Sequence, residues 1–119
     1  MLLAIDIGNS NVTLGVFREE NLLATWRLAT DTRKLPDEYA LLIQSLLPLK
    51  GVAPKDIDSI ALCSVVPPLT QVFGELANEH FGVTALTVGA GTRTGVRVLY
   101  ENPRDVGSDR VVDAAAAFS

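Results

Sequence analysis

Residues 2–28 read LLAIDIGNSNVTLGVFREENLLATWRL, and their pattern predicts the central part of the fold. Its first segment, residues 2–7, is apolar apart from Asp6, which is typical of a largely buried strand. Residues 12–16 then alternate apolar with polar or small side chains, and the apolar residues Leu22, Ala24, Trp26 and Leu28 follow the same two-residue period, which is that of a strand. Because short polar links join the three segments, the pattern predicts an antiparallel meander.

Beyond this meander the apolar residues take the spacing of a helix. Pro36 lies near the start of the first predicted helix, and Pro48 with Gly51 marks its end. The apolar face is predicted from residues at i, i+3, i+4 and i+7, which are Tyr39, Leu42, Ile43 and Leu46.

Further strands and helices alternate in the rest of the chain. Strands are predicted at 59–66 and 83–88, with a short third one at 96–99. Pro67 opens a helix between the first two, and Asn102 caps a last helix that is still running at the end of the sequence. Three antiparallel strands followed by α–β crossovers predict an α/β fold with a mixed sheet and helices on its faces.

Composition and charge exclude several classes of protein. The chain has 119 residues, 48% of them hydrophobic and 20% charged, which fits one soluble globular domain. A formal net charge of −4 argues against a non-specific nucleic-acid binder, and no basic run suggests a membrane surface. No apolar stretch approaches a transmembrane length and no signal peptide is recognisable, so we expect a cytoplasmic protein.

The chain has one cysteine and one histidine, which restricts its chemistry. Cys63 cannot form an intramolecular disulfide, and its apolar setting predicts a buried strand residue and not a reactive thiol. A single histidine, His80, makes a histidine metal cage or a Ser-His-Asp triad hard to build. We expect His80 at the surface near a helix end, where partial positive charge suits the helix dipole.

The first candidate site follows the first strand, where the sequence reads DIGNSNV from Asp6 to Val12. An acid at the end of a buried strand is costly unless a divalent cation, or water around one, compensates for it. Gly8 lets a ligand approach the backbone, and the amides of such a turn can form an anion-binding nest. The segment is therefore a candidate phosphate cradle. An ordinary tight turn explains the same residues equally well.

The second candidate site is the segment YENPRDVGSDR, residues 100–110. In a helix from Pro103, acids four residues apart cost about 0.2–0.5 kcal/mol per pair, and Gly107 costs roughly 1 kcal/mol against alanine. A segment that departs from two rules of helix stability at once is expected at a functional site. Asp109 could accept a proton, and Arg110 could hold an anion. Alternatively, the charges are merely solvated and Gly107 permits close packing.

Three segments of the chain resemble the type III pantothenate kinase family. They are DIGNSN at residues 6–11, SVVPP at 64–68, and YENP with VGSDR at 100–103 and 106–110. The family more usually has alanine where this chain has Ser108, and the extra hydroxyl should be tolerated at this position. The resemblance runs over the whole chain, with the motifs in order and at compatible spacing.

The resemblance implies a fold, an activity and a set of site residues. It implies a ribonuclease H-like domain, one lobe of the actin-like kinase fold, in an ATP-dependent enzyme that phosphorylates pantothenate at the start of coenzyme A synthesis. The implied cofactors are ATP, magnesium held by Asp6 directly or through water, and a monovalent cation, potassium or ammonium. Its implied ATP site is Asp6, Ile7, Gly8, Asn9, Ser10, Asn11, Val12 and Thr13. The implied pantothenate site is Tyr100, Gly107, Ser108, Asp109 and Arg110, with Asp109 as the catalytic proton acceptor.

The resemblance also sets expectations for the domains and partners. Residues 1–119 are expected to be the N-terminal domain, truncated in its last helix, with the C-terminal domain and the cation ligand beyond Ser119. Family members are homodimers, and we expect neither a nucleic-acid nor a membrane partner. Two alternatives are a regulatory or binding protein that has lost catalysis and an actin-like or chaperone-like ATPase. The YENP and GSDR segments speak against the ATPase, since they are substrate features.

Overall fold

Strand β1 (Leu2–Ile7) lies at the centre of a five-stranded mixed sheet. The structure is a computed structural model, and it describes residues 1–88 of the chain. Strands β2 (Asn11–Arg18) and β3 (Asn21–Ala29) extend the sheet on one side of β1, each antiparallel to its neighbour. On the other side β4 (Ser59–Ser64) and β5 (Leu86–Val88) run parallel to β1, which gives the order β3-β2-β1-β4-β5. The predicted meander and the predicted mixed sheet are both confirmed.

Two helices cross over between the parallel strands. Helix α1 (Pro36–Leu46) begins at a proline, and the Glu38 carboxylate accepts a hydrogen bond of 3.0 Å from the Leu35 amide just before it. It ends in a 3₁₀ turn (Leu47–Lys50) that Gly51 closes with a left-handed φ of 76°. Helix α2 (Pro67–His80) begins at the predicted Pro67-Pro68 pair. Both predicted helices are therefore confirmed in position.

Both helices pack on one face of the sheet. Strand alternation directs Leu3, Ile5 and Ile7 of β1 towards the apolar core that contains residues of both helices. The remaining β1 residues point to the opposite face, where Ala4 is buried with Ala61 and Cys63 of β4. Cys63 is thus a buried strand residue, as predicted.

The predicted apolar face of α1 packs against the core: Tyr39 and Ile43 are buried, and Leu42 and Leu46 are partly buried against them. Ala40 is also buried, which the spacing did not predict.

Two predicted strand boundaries are wrong. Strand β4 ends at Ser64 and not at residue 66. The Ser64 hydroxyl accepts a hydrogen bond of 3.0 Å from the Val66 amide, and this bond accompanies the turn of the chain into α2. Strand β5 begins at Leu86 and not at residue 83.

Other predictions lie outside the described residues. These are the short strand at 96–99 and the helix that begins near Asn102. Within residues 1–88, no helix is both long enough and apolar enough to cross a membrane.

Candidate functional site

Asp6 lies near the carboxyl end of the central strand and is only 3% exposed. Its strand neighbours Ile5 and Ile7 point into the core under the two helices, so the Asp6 side chain lies on the opposite face of the sheet. In the sheet register Asp6 pairs with Thr13 of β2 and with Cys63 of β4. Because paired residues share a face, the carboxylate has a hydroxyl on one side and a thiol on the other.

The same row of side chains continues to the edge strand β3. Arg27 pairs with Thr13 and is exposed, so it brings a positive charge onto the face that carries Asp6. Neighbouring strands lie about 4.8 Å apart, which places the Arg27 backbone two strand spacings from that of Asp6. The sequence interpretation missed Arg27, because in an alternating strand it is simply one of the polar positions.

The turn at residues 8–11 follows Asp6 directly and joins β1 to β2. The Gly8 amide donates a hydrogen bond of 2.9 Å to the Asn11 carbonyl oxygen, which closes the turn. A β-carbon at Gly8 would lie 3.1 Å from that same oxygen, so the absence of a side chain permits the close approach. Asn9, Ser10 and Asn11 are exposed.

Thr30, the residue after β3, holds this turn from the side. Its hydroxyl donates a hydrogen bond of 2.7 Å to the Gly8 carbonyl oxygen, and its amide donates one of 3.1 Å to the Ser10 carbonyl oxygen. Among residues 1–88, the amides of Asn9 and Ser10 donate to no protein group. The carbonyl groups of Gly8, Ser10 and Asn11 are therefore engaged and the amides of Asn9 and Ser10 are available, which is an arrangement that suits an anion. The sequence interpretation also missed Thr30, because its contacts span 22 residues.

The structure reduces the set of groups that could form the predicted phosphate cradle, but it does not test whether phosphate binds there. Ile7 and Val12 are fully buried on the helix side of the sheet and can contribute only their backbone. The Gly8 amide already bonds to Asn11, so the donors left for a ligand are those that follow Gly8. The predicted pantothenate residues, from Tyr100 to Arg110, lie outside the described residues.

A second polar cluster joins the two helices. His80 is the last residue of α2, as predicted, and its Nε2 atom lies 2.7 Å from Oδ1 of Asp37 in the first turn of α1. Glu79 completes a group whose ligand atoms lie within 4.8 Å of one another. The Asp37 and Glu79 side chains are exposed, and the pair with His80 is explained as a polar contact between helix ends.

Comparison with known proteins identifies sequence relatives over the whole chain. A family model described as type III pantothenate kinase matches residues 2–119. Curated proteins of that name from Dehalococcoides mccartyi and Geotalea uraniireducens are 47% and 46% identical over 98% and 99% of the chain. The matches cover 45% and 46% of those proteins, so the chain spans about half the length of the curated relatives it matches.

Solved structures show the same fold at low sequence identity. A putative N-acetylglucosamine kinase from Porphyromonas gingivalis matches with a TM-score of 0.56 and 16% identity, over 83% of this chain and 37% of that one. RuvC from Thermus thermophilus, in complex with a Holliday junction substrate, matches with a TM-score of 0.61 and 17% identity, over 98% of this chain and 90% of that one. These likenesses confirm the predicted ribonuclease H-like fold shared with the actin-like kinases, and they extend to the fold alone.

Proposed function

The chain belongs to the type III pantothenate kinase family, and on that premise we propose that it is the N-terminal domain of a pantothenate kinase. The reaction is transfer of the γ-phosphate of ATP to the primary hydroxyl of pantothenate, which gives 4′-phosphopantothenate and ADP. This is the first step of coenzyme A biosynthesis. The single observation that carries the proposal is the position of Asp6 and the 8–11 turn, side by side at one end of the sheet, in a chain that matches the family over residues 2–119.

The 8–11 turn is the proposed site of the ATP phosphates. Its available amides supply donors for phosphate oxygens, and the hydroxyl of Ser10 and the side-chain amides of Asn9 and Asn11 add more. A phosphate chain carries several negative charges, however, and Asp6 adds another. Binding therefore requires positive charge near the 8–11 turn to balance the phosphates and Asp6. Arg27 lies on the same face of the sheet as Asp6 and can provide some of this charge.

The side chains around Asp6 fit a magnesium ion as the other source of positive charge. Mg²⁺ prefers oxygen ligands and binds through one or two carboxylates together with waters and substrate phosphates. Asp6 offers a carboxylate and Thr13 a hydroxyl in the adjacent position, close to the proposed phosphate site. In our proposal Asp6 holds the ion, directly or through water. When bound, the ion neutralises charge on the phosphates.

Asp109 is the proposed general base. As the pantothenate oxygen forms its bond to the γ-phosphorus, the bond between that phosphorus and the β,γ-bridging oxygen breaks and ADP leaves with the electron pair. The hydroxyl proton passes to the Asp109 carboxylate. An aspartate in contact with the substrate hydroxyl has the same role in protein kinases. In the same proposal Tyr100, Gly107, Ser108 and Arg110 bind pantothenate.

Four further properties are proposed on the strength of family membership. The full-length protein is a homodimer, works in the cytoplasm, and uses potassium or ammonium as a monovalent cation. A second domain beyond this chain supplies the ligand of that cation and the remaining ATP contacts. The proposal also includes neither a nucleic-acid partner, which the net charge of −4 disfavours, nor a membrane partner.

The experiment that tests the proposed function is a coupled assay of ADP release by the full-length protein. We expect release that requires both Mg²⁺-ATP and pantothenate, with 4′-phosphopantothenate identified by mass spectrometry. Omitting pantothenate is the control for unproductive ATP hydrolysis. A folded protein that releases ADP at the same rate with and without pantothenate would support the ATPase alternative. One that releases none would support a binding or regulatory role.

A further inference from the structure

Thr30 contacts the 8–11 turn through two different groups. The side-chain hydroxyl bonds to the carbonyl oxygen of Gly8 at 2.7 Å, and the backbone amide bonds to the carbonyl oxygen of Ser10 at 3.1 Å. Both bonds are within the normal range for strong protein hydrogen bonds. A single residue of the neighbouring segment therefore fixes two of the carbonyl groups in the turn.

Fixing a carbonyl group also fixes the amide that follows it. The peptide unit is planar and trans, so the C=O of one residue and the N–H of the next point in opposite directions. Holding the Gly8 oxygen against Thr30 directs the Asn9 amide away from Thr30. Holding the Ser10 oxygen in the same way directs the Asn11 amide away from it. The two contacts of Thr30 thus set the orientation of the Asn9 and Asn11 amides, and the Asn9 amide is one that donates to no protein group among residues 1–88.

Thr30 itself is held by a buried tyrosine. The Tyr39 hydroxyl donates a hydrogen bond of 3.0 Å to the carbonyl oxygen of Ala29 and accepts one of 2.9 Å from the amide of Asp31. These are the two residues on either side of Thr30. Tyr39 is 0% exposed and its ring lies against that of Phe73 in α2, so it is a rigid support. The contacts run without a break from the helix layer through Tyr39 and Thr30 to the turn.

We propose that Thr30 is a positioning residue for the phosphate chain of a nucleoside triphosphate. Its two hydrogen bonds hold carbonyl oxygens of the 8–11 turn away from the phosphates and leave amide groups of the turn directed towards them. This inference rests on the proposed function, in which that turn receives the phosphates of ATP. Without the Thr30 hydroxyl, the peptide that follows Gly8 is free to rotate, since Gly8 has no side chain to restrict it. Rotation would turn a carbonyl oxygen towards the phosphates, and the ordering needed to reverse it would weaken binding.

The test compares Thr30→Val with Thr30→Ser in the full-length protein. Valine keeps the shape of threonine without the hydroxyl, whereas serine keeps the hydroxyl. The loss of one hydrogen bond predicts a rise of roughly 2- to 10-fold in the KM for ATP of Thr30→Val, with the KM for pantothenate unchanged. Thr30→Ser should restore the wild-type KM for ATP. Thr25→Val is the matched control, since Thr25 is an exposed threonine of β3, the strand that precedes Thr30, and it should change neither KM.

A folded Thr30→Val protein with the wild-type KM for ATP would overturn the inference, as would a rise of the same size in the KM for pantothenate. If valine prevents folding, Thr30→Ala and Thr30→Ser give the same comparison, and an equal KM for ATP in that pair overturns it. Calorimetry with magnesium tripolyphosphate separates this inference from the proposed function. Weaker binding to Thr30→Val than to wild type supports the inference even in a protein that does not phosphorylate pantothenate, and equal binding, or none to wild type, overturns it.

Discussion

The aromatic rings of Tyr39 and Phe73 lie 4.8 Å apart between centroids, with their planes inclined at 42°. This contact joins α1 to α2, and both side chains are fully buried. Tilted pairs at this distance are favourable beyond the area that they bury. The contact places the Tyr39 hydroxyl at the end of β3, where it bonds to the residues on either side of Thr30.

Tyr39→Phe is predicted to destabilise the protein without disturbing the ring contact. The variant leaves the Ala29 carbonyl and the Asp31 amide without their hydroxyl partner, which should cost about 1–3 kcal/mol in the free energy of unfolding. Urea denaturation of wild type and variant measures the difference. A variant as stable as wild type would show that these two hydrogen bonds contribute nothing to the fold.

The same hydroxyl predicts a loss of stability at alkaline pH. Burial raises the pKa of Tyr39 above its ordinary value of 10.0; the hydrogen bond from the Asp31 amide partly opposes this effect, and the charge of the Asp31 carboxylate adds to it. A group whose pKa is raised by folding contributes stability that is complete below the unfolded pKa and is lost as the pH rises through the folded value. The free energy of unfolding should therefore fall above about pH 10, and more steeply in wild type than in Tyr39→Phe. Identical pH profiles for the two proteins would contradict this assignment.

Gly8→Ala is predicted to weaken ATP binding. The added β-carbon would lie 3.1 Å from the Asn11 carbonyl oxygen, so the turn must open by a few tenths of an ångström. We expect the KM for ATP to rise roughly tenfold, since catalytic and binding geometry tolerates little misplacement. The matched control is Gly74→Ala in α2, where a β-carbon meets nothing within 4 Å. Alanine should stabilise that helix by up to about 1 kcal/mol and leave the KM unchanged. Equal effects of the two substitutions on the KM for ATP would contradict the role of the turn.

Asp109→Asn is predicted to slow the reaction with little change in the fold or in ATP affinity. Asparagine keeps the shape of the side chain and removes the base, and base catalysis contributes about 10²–10⁴-fold, so kcat should fall by that order. Arg110→Ala should weaken pantothenate binding as well as slow turnover. Steady-state kinetics on both variants, with a thermal melt as the folding control, provide the measurement. A folded Asp109→Asn enzyme with near-normal kcat would exclude Asp109 as the base and leave Asp6 as the next carboxylate to test.

The 119-residue chain alone is predicted to be inactive as a kinase. Phosphoryl transfer depends on holding both substrates and neutralising charge around them, and the family relatives are about twice as long. We expect the purified chain to bind ATP weakly and to release no ADP in response to pantothenate. Robust pantothenate-dependent ADP release by this chain would show that residues 1–119 suffice for catalysis.

The sequence predicts the sheet and the helices well, because each has a local signal. Alternation in residues 2–28 predicts the meander, and Pro36 and Pro67 predict where the helices begin. Which residues of a helix become buried depends on what packs against it. Ala40 is therefore buried in α1, although the larger Leu42 fits the spacing equally well.

Half of the candidate site could also be predicted, for a similar reason. Asp6 and the 8–11 turn are adjacent in the sequence and contain the residue types that phosphate binding needs. Thr30 and Arg27 reach the site only through the pairing of β3 with β2, and no local pattern distinguishes them from other polar strand residues. Their contribution depends on register, which only the folded sheet defines.

The most direct measurement is the distance between phosphate oxygens and the amide nitrogens of Asn9, Ser10 and Asn11. It requires a crystal structure of the full-length protein with Mg²⁺, pantothenate and a non-hydrolysable ATP analogue. We predict at least one phosphate oxygen within about 3.2 Å of one of these nitrogens, with the Thr30 hydroxyl still bonded to the Gly8 carbonyl oxygen. A bound nucleotide whose phosphates bypass the 8–11 turn would contradict it.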